Sequence, residues 1–202
     1  MRHAAFLLVL LLTAAAHAAD PGELVELRKI APSILVELPY ATAANFTKQA
    51  VYKTEKCFLR RFAAERLAEV QKDLEAMGLG LKVWDGYRPL SVQKQFWALV
   101  PDERYVASPV KGSRHNRGAA VDLTLVDRQG KELEMPTKFD DFTPAASSDA
   151  PCSPRAAENR ALLLRVMTKH SFRNLPTEWW HYDAIGWEKY EVLDIPFEAI
   201  GK

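Results

Sequence analysis

The chain has 202 residues, with 27 Lys and Arg against 26 Asp and Glu, so its formal net charge is +1 at pH 7. No basic block stands out, and this near-neutral balance argues against nucleic acid as a partner. Hydrophobic residues make up 48% of the chain, which is ample for a packed core, and the length suits one domain.

The first 18 residues have the pattern of a secretory signal peptide. A short basic start precedes an apolar run, Phe6–Leu12, and an A-x-A cleavage pattern stands at residues 16–18. The apolar run is too short to cross a bilayer, which takes about 20 residues. An amphipathic or buried first helix is disfavoured, because the segment lacks a polar face. We therefore expect an exported, periplasmic protein with a signal peptide at 1–18, a domain at 19–202 and no stable membrane anchor after cleavage.

The first half of this domain is predicted to mix short strands with helices. Short strands are expected at 24–27 and 34–38, before a loop at 40–46. Apolar residues at helical spacing predict a long helix over Lys56–Met77, which Gly78 ends. A strand is then predicted over Leu81–Asp85.

The second half continues in the same way. A helix capped by Ser91 is predicted to end at Pro101, and alternating apolar residues predict a strand over Ala119–Val126. The turn residues at 127–131 indicate a hairpin. A further helix is expected over Pro154–His170 and a strand over Trp179–Asp183. Together these elements predict a single α+β domain with a mostly antiparallel sheet and flanking helices.

Two cysteines, Cys57 and Cys152, belong to the predicted mature chain. Because an exported protein meets an oxidising compartment, one disulfide between them is the first expectation. Two buried free thiols are the alternative. A cysteine nucleophile is disfavoured, because neither cysteine has a histidine in its local sequence.

Two motifs carry the residues of a metal site. His115 and Asp122 lie seven residues apart in a segment rich in glycine and alanine, and Glu178 precedes His181 by three residues. Two imidazoles and one carboxylate are the protein ligands of a catalytic zinc site, whose fourth position is left to water. Glu178 is then free to take a proton as general base. His170 has the simpler interpretation of a polar residue at a helix C-terminus.

The spacing within each motif sets a geometric requirement. Gly118 permits backbone angles that let the chain fold the His115 imidazole back towards Asp122. Glu178 and His181 cannot share one face of a regular strand, because side chains alternate. We therefore expect Glu178 in the loop after Pro176, with the strand beginning at Trp179.

Arg88 follows a predicted strand and precedes a helix. Composition alone favours a structural ion pair for this residue. Beside a zinc site, however, a fixed guanidinium is what a peptidase needs to stabilise the oxyanion of its tetrahedral intermediate. Asp85 is expected to orient Arg88 or cap the turn rather than bind a metal.

Four segments together resemble the zinc D-alanyl-D-alanine dipeptidases, a family that includes enzymes of vancomycin-resistance clusters. The matching segments, in family order over nearly all of the predicted mature chain, are Tyr40–Thr47, Asp85–Pro89, Ser113–Asp122 and Glu178–His181. The chain departs from the usual pattern at Ala44, where an acid is common, and at Lys48 and Pro136, where glycine is common.

The resemblance implies a role for each matching residue. His115, Asp122 and His181 would bind one Zn²⁺ per chain, Glu178 would be the general base and then acid, and Arg88 would stabilise the oxyanion. Ser113 would contact the substrate and Asp140 would lie near the substrate amine. The implied fold is the small α+β fold of D,D-peptidases and the hedgehog amino-terminal domain.

The resemblance further implies hydrolysis of a short D-amino-acid dipeptide, D-Ala-D-Ala. One alternative is a D,D-carboxypeptidase or muropeptide endopeptidase that uses the same zinc site on longer chains. Another is a non-catalytic, zinc-stabilised binding module. The presence of both Glu178 and Arg88 argues against the binding module, since a structural zinc site needs neither residue.

Overall fold

A computed structural model describes residues 19–201, and the predicted signal peptide lies outside the described residues. In chain order, the strands and helices are β1 (Leu24–Glu26), α1 (Leu27–Ile30), β2 (Leu35–Val36), β3 (Phe58–Arg60), α2 (Arg61–Ala76), β4 (Leu79–Asp85), α3 (Leu90–Leu99), β5 (Ala120–Asp127), α4 (Pro154–Lys169), β6 (Phe172–Leu175) and β7 (Glu178–Ala184). None of the helices in this described part is long and apolar enough to cross a membrane.

A five-stranded sheet forms the centre of the domain. Its strand order is β2-β4-β5-β7-β6, and every neighbouring pair is antiparallel except β2 and β4. Strands β1 and β3 form a separate antiparallel pair. The predicted α+β class and the mostly antiparallel sheet are confirmed.

The two long helices contact each other and the sheet, and enclose the main core. Leu67 and Leu74 of α2 and Leu163 of α4 are fully buried, as are Leu123 and Leu125 of β5. Since side chains alternate along a strand, Asp122 and Thr124 point to the opposite face of β5 from these leucines. That opposite face is covered by irregular segments rather than by the long helices, and it lines the cavities described below.

The predicted helix over Lys56–Met77 was wrong at its start. Phe58–Arg60 forms strand β3, whose partner is β1, and α2 begins only at Arg61. Phe58 and Leu59 fit the apolar spacing of the following helix, but a tertiary contact decides their conformation: the Phe58 carbonyl accepts a hydrogen bond from Tyr87 N at 2.7 Å.

Two smaller predictions were also wrong, and one strand was missed. The Ser91 side chain does not cap α3; its backbone N–H instead donates a hydrogen bond to Asp194 Oδ1 of the C-terminal segment at 2.8 Å. The turn at 127–131 is present, but the chain returns beside β5 only through a bridge from Val126 to Glu132. Strand β6, which pairs with β7, was not predicted.

The expected disulfide is also wrong, because Cys57 and Cys152 are both free thiols. Cys57 is buried beneath the turn at Gly86, where any side-chain carbon on Gly86 would come within 2.6 Å of Cys57 Sγ. Cys152 is partly exposed in the loop before α4, so the two sulfurs do not meet. Burial raises the pKa of the Cys57 thiol, which keeps it protonated and unreactive.

Candidate active site

Three predicted ligand residues converge on one face of the sheet. Asp122 of β5 and His181 of β7 lie directly opposite each other in the strand register, so their side chains share a face. His115 joins them from a single 3₁₀ turn just before β5. His181 Nδ1 lies 3.0 Å from Asp122 Oδ1, and His115 Nε2 lies 3.1 Å from His181 Nδ1 and 3.3 Å from Asp122 Oδ2. Within residues 19–201, this is a group of side chains that could hold a metal ion.

Gly118 makes the approach of His115 to Asp122 possible. Its φ of 66° lies in the left-handed region, and a side-chain carbon there would come within 2.6 Å of Leu24 Cδ2. The Gly118 carbonyl also accepts a hydrogen bond from Arg60 N at 2.8 Å. A side chain at this turn would therefore meet both backbone strain and a steric clash.

Hydrogen bonds on the far side of each imidazole orient the two histidines. His115 Nδ1 lies 2.8 Å from the Gly86 carbonyl oxygen, which can only accept, so Nδ1 carries the proton and Nε2 turns its lone pair to the cluster. His181 Nε2 lies 2.9 Å from Asp183 Oδ1, which leaves Nδ1 facing Asp122. Metal-binding histidines are commonly oriented in this way by a carbonyl or carboxylate.

The charges of the cluster favour a cation at its centre. Burial opposes charge on His181, but its hydrogen bonds to Asp122 and Asp183 raise its pKa well above the usual value. Burial likewise opposes charge on Asp122, yet His115 and His181 lower the pKa of that carboxyl. Two buried carboxylates therefore stabilise positive charge between the imidazoles, from a proton or from a metal ion. One carboxylate and two nitrogen lone pairs within 4.8 Å of one another fit Zn²⁺.

Glu178 lies beside this cluster but not where its spacing predicted. It is the first residue of β7 rather than part of the preceding loop. The β6–β7 register shifts between Asn174 and Leu175, and this irregularity brings Glu178 Oε2 to 3.8 Å from His181 Nδ1. Asn174 Nδ2 stabilises the shifted backbone by donating to the carbonyls of Glu178 at 3.0 Å and His181 at 2.9 Å.

The environment of Glu178 suits a group that takes and returns a proton. Burial raises the pKa of Glu178 to about 7. His181 lowers this pKa, whereas the nearby Asp122 carboxylate raises it. A carboxyl with a pKa near neutrality can act as base in one step and as acid in the next.

Arg88 is buried in the short segment between β4 and α3 and is held by Asp85. Its Nε donates to Asp85 Oδ2 at 3.0 Å, and its Nη2 donates to the same oxygen. The other oxygen, Asp85 Oδ1, accepts from Tyr52 OH at 2.7 Å and from Gly86 N at 2.9 Å. The interpretation of Asp85 as the group that orients Arg88 is confirmed. Arg88 Nη2 also lies 3.9 Å from Asp122 Oδ2, so its guanidinium borders the candidate metal cluster as well as forming an ion pair.

Ser113 and Asp140 lie in the walls of the same cavity. Ser113 Oγ accepts a hydrogen bond from His115 N at 3.2 Å. Asp140 has a φ of 57°, and Tyr40 OH lies 3.0 Å from each of its carboxylate oxygens. Burial and the neighbouring Asp122 raise the pKa of Asp140 well above its usual value.

The cavity that joins these residues has a volume of about 240 Å³. Its floor carries His115, Asp122, Glu178 and His181, and Asp140 with Tyr40 forms part of its wall. Irregular segments complete the enclosure and contribute Phe46, the residues 103–107, Phe142 and Thr177. The volume is small compared with pockets for drug-sized ligands, which are typically about 300–1,000 Å³.

Comparison with known proteins identifies the family. The profile of the peptidase family described as D-Ala-D-Ala dipeptidase matches residues 20–197. The chain belongs to this peptidase family. The D-alanyl-D-alanine dipeptidase of Escherichia coli is 38% identical over 181 residues, which cover 89% of this chain and 94% of that protein. The D-alanyl-D-alanine dipeptidase of Enterococcus faecalis is 34% identical over 171 residues, covering 72% and 83% respectively. Among solved structures, the LdcB LD-carboxypeptidase aligns with a TM-score of 0.48 at 20% identity, over 91% of this chain and 81% of that one.

In this family member, the sequence motifs missed three residues that support the site. Asp183 holds His181, Tyr40 holds Asp140, and Gln93 of α3 contacts Arg88 at 2.9 Å. Asp183 could have been predicted from the sequence, because a residue two positions after His181 on a strand shares its face. Tyr40 opens one of the family-like segments, but its partner lies 100 residues away and no local pattern indicates it.

Proposed function

We propose that this peptidase hydrolyses the free dipeptide D-Ala-D-Ala with one Zn²⁺ held by His115, Asp122 and His181. One observation carries the proposal. Glu178 and Arg88, the two side chains that hydrolysis needs beyond a metal site, are both buried beside that cluster in one small cavity. The family membership and the names of the relatives support the same substrate class.

The residues of this chain divide the chemistry among them. When bound, Zn²⁺ supplies a Lewis acid that polarises the scissile carbonyl and lowers the pKa of a water molecule. Glu178 Oε2 accepts the proton of the attacking water and then delivers it to the leaving amine. The guanidinium of Arg88 stabilises the oxyanion, because its fixed positive charge is buried beside the candidate metal cluster. Ser113 lies in the wall of the cavity beside His115.

Asp140 supports a substrate with a free amino group. Its buried carboxyl favours the neutral form, and an adjacent ammonium group would restore the ionised form by direct charge pairing. A free dipeptide brings that ammonium, whereas an N-acylated peptide brings an uncharged amide. The wall at Asp140 therefore favours dipeptides over the ends of longer chains.

A D,D-carboxypeptidase or muropeptide endopeptidase is the second candidate, and one observation favours it. An open groove of about 870 Å³ lies on the other side of Phe46 and Asp140, which line both spaces. A longer peptide could lie in this groove if these two residues moved apart. The non-catalytic binding module is not supported by the buried placement of Glu178 and Arg88.

The test compares D-Ala-D-Ala with N-acetyl-D-Ala-D-Ala as substrates for the zinc-loaded protein. Cleavage of the free dipeptide alone supports the dipeptidase, and cleavage of the blocked substrate supports the second candidate. Glu178→Gln should lower kcat by about 10²–10⁴-fold at unchanged zinc content, as loss of an acid–base group does. The exposed Glu158→Gln on α4 is the matched control and should leave kcat unchanged. Near-full activity of Glu178→Gln with normal zinc content would contradict the role of Glu178.

We also propose that the protein is exported to the periplasm, where it would meet peptidoglycan fragments. The proposal rests on the signal-like pattern of residues 1–18. Fractionation of cells expressing the full chain, with N-terminal sequencing of the product, tests both the location and cleavage after Ala18. The absence of a nucleic-acid partner and of a membrane anchor stays a prediction.

A further inference from the structure

Gln93 is a fully buried polar residue of α3 that no step of the proposed hydrolysis uses. Its Oε1 accepts a hydrogen bond from Arg88 Nη1 at 2.9 Å, and its Nε2 donates to the Ala107 carbonyl at 2.8 Å. A guanidinium only donates and a carbonyl oxygen only accepts, so this pair of partners fixes the carboxamide in one orientation. Gln93 therefore connects Arg88 to the wall segment 103–107 of the cavity.

Asp85 alone does not fix the guanidinium of Arg88. Both hydrogen bonds from Arg88 to Asp85 end on the same oxygen, Oδ2, because Oδ1 is occupied by Tyr52 and Gly86. A planar group held through one acceptor atom can rock in its plane about that atom. The bond from Nη1 to Gln93 lies on the opposite edge of the guanidinium and removes this freedom.

The aromatic neighbours of Arg88 restrict the other direction of movement. The guanidinium carbon lies 4.7 Å from the centre of the Phe96 ring and 5.5 Å from the centre of the Tyr40 ring. Of the five N–H donors of Arg88, Asp85 takes two and Gln93 takes one, which leaves one on each terminal nitrogen. One of these nitrogens, Nη2, lies 3.9 Å from Asp122 Oδ2 and so faces the reacting region.

We propose that Gln93 is a positioning residue, which aims the two free N–H groups of Arg88 at the oxyanion and ties their position to the wall segment 103–107. The inference rests on the proposed function, because it assigns Arg88 to the oxyanion. Gln93 lies outside the lining of the cavity and hydrogen-bonds to Arg88 and to the Ala107 carbonyl. Its effect should therefore appear in the transition state rather than in ground-state binding.

The kinetic test uses Gln93→Met, which keeps the length of the side chain and removes both hydrogen bonds. We expect kcat for D-Ala-D-Ala to fall about 10–100-fold with KM changed less than about threefold, since small misplacements of a catalytic group cost up to about 10²-fold. The matched control is Gln71→Met, another buried glutamine, whose Oε1 accepts from Leu81 N at 2.8 Å away from the cavity. It should lower thermal stability without changing kcat.

A double-mutant cycle separates positioning from general damage. If Gln93 acts through Arg88, then Gln93→Met should cause no further loss of kcat in an Arg88→Ala background. The same fold-loss of kcat in both backgrounds, or a rise in KM with unchanged kcat, would overturn the proposal.

Nuclear magnetic resonance provides a measurement that does not depend on activity. In ¹⁵N-labelled wild-type protein, slow rotation should give separate signals for the two terminal nitrogens of Arg88, assigned by their loss in Arg88→Ala. Averaged Nη signals would overturn the inference about Gln93 even if the dipeptide is hydrolysed. Separate signals in a protein that cleaves no dipeptide would instead refute the proposed function and leave Arg88 anchored by Asp85 and Gln93 together.

Discussion

Asp85→Asn tests how far the fold depends on the buried ion pair beside the active site. Asp85 is fully buried and accepts four hydrogen bonds, two from Arg88 and one each from Tyr52 and Gly86. Asparagine offers one acceptor oxygen and one donor NH₂, so a donor must face either the guanidinium or the Tyr52 and Gly86 pair. Removing one partner of a buried pair costs about 3–5 kcal/mol, because the other charge stays buried without compensation.

A loss of this size is large against the 5–15 kcal/mol that is typical of a whole domain. For a domain of this length it corresponds to a fall in Tm of about 6–20 °C. The assay is urea and thermal unfolding followed by tryptophan fluorescence, in excess chelator so that metal affinity does not contribute. Asp73→Asn, which removes a partly exposed carboxylate paired with Lys169, is the control and should move the midpoint much less.

The double variant Asp85→Asn with Arg88→Met gives the decisive comparison. Because the second substitution removes the stranded charge, the double variant should be more stable than Asp85→Asn alone. The reasoning is refuted if the two losses simply add, or if Asp85→Asn unfolds at the same midpoint as the Asp73 control.

Three further predictions concern the turn, the metal and the pH dependence. Gly118→Ala should destabilise the fold by about 1–2 kcal/mol from its positive φ alone, with the contact to Leu24 adding to the loss, as urea unfolding would show. Asp183→Asn should weaken zinc binding about 10–100-fold in a chelator competition, since Asp183 orients His181; unchanged affinity would remove it from the site. Hydrogen bonds from Lys169 and then His170 lower the pKa of Asp73 in the folded protein. The ionised carboxylate therefore stabilises the fold at a pH above its unfolded pKa of about 3.9, and this stabilisation is lost as the pH falls through the lower pKa of the folded state. The stability difference between wild type and Asp73→Asn should therefore shrink between pH 6 and pH 3, and a constant difference would contradict the linkage.

The sequence predicted the elements whose signals are local. Alternation around Asp122 located β5, and apolar spacing located α2 and α4 to within a few residues except at Phe58–Arg60. The three candidate ligands could be selected from two short motifs. The pairing of β5 with β7 that brings Asp122 opposite His181 is long-range, however, and no local pattern predicts it.

The remaining features depend on partners far away in the chain. The irregularity that brings Glu178 to the side of His181 belongs to the pairing with β6, a strand that the sequence did not reveal. Gln93 gave no signal because its partners, Arg88 and Ala107, flank α3 at unrelated spacings. Lys48 has a φ of 58°, a left-handed conformation that glycine adopts more readily than lysine, and no local pattern predicts it.

The floor and the walls of the catalytic cavity are built from different kinds of backbone. Asp122 and His181 stand opposite each other on two paired central strands, so a slip of one residue between β5 and β7 would turn His181 to the opposite face. Phe46, Phe142 and the segment 103–107 come from irregular chain, which accepts insertions and substitutions readily. The lining of the walls can therefore change while the placement of Asp122 and His181 on the strands is kept. For a protein engineer, grafted loops would change the shape of the cavity while Asp122 and His181 keep their places.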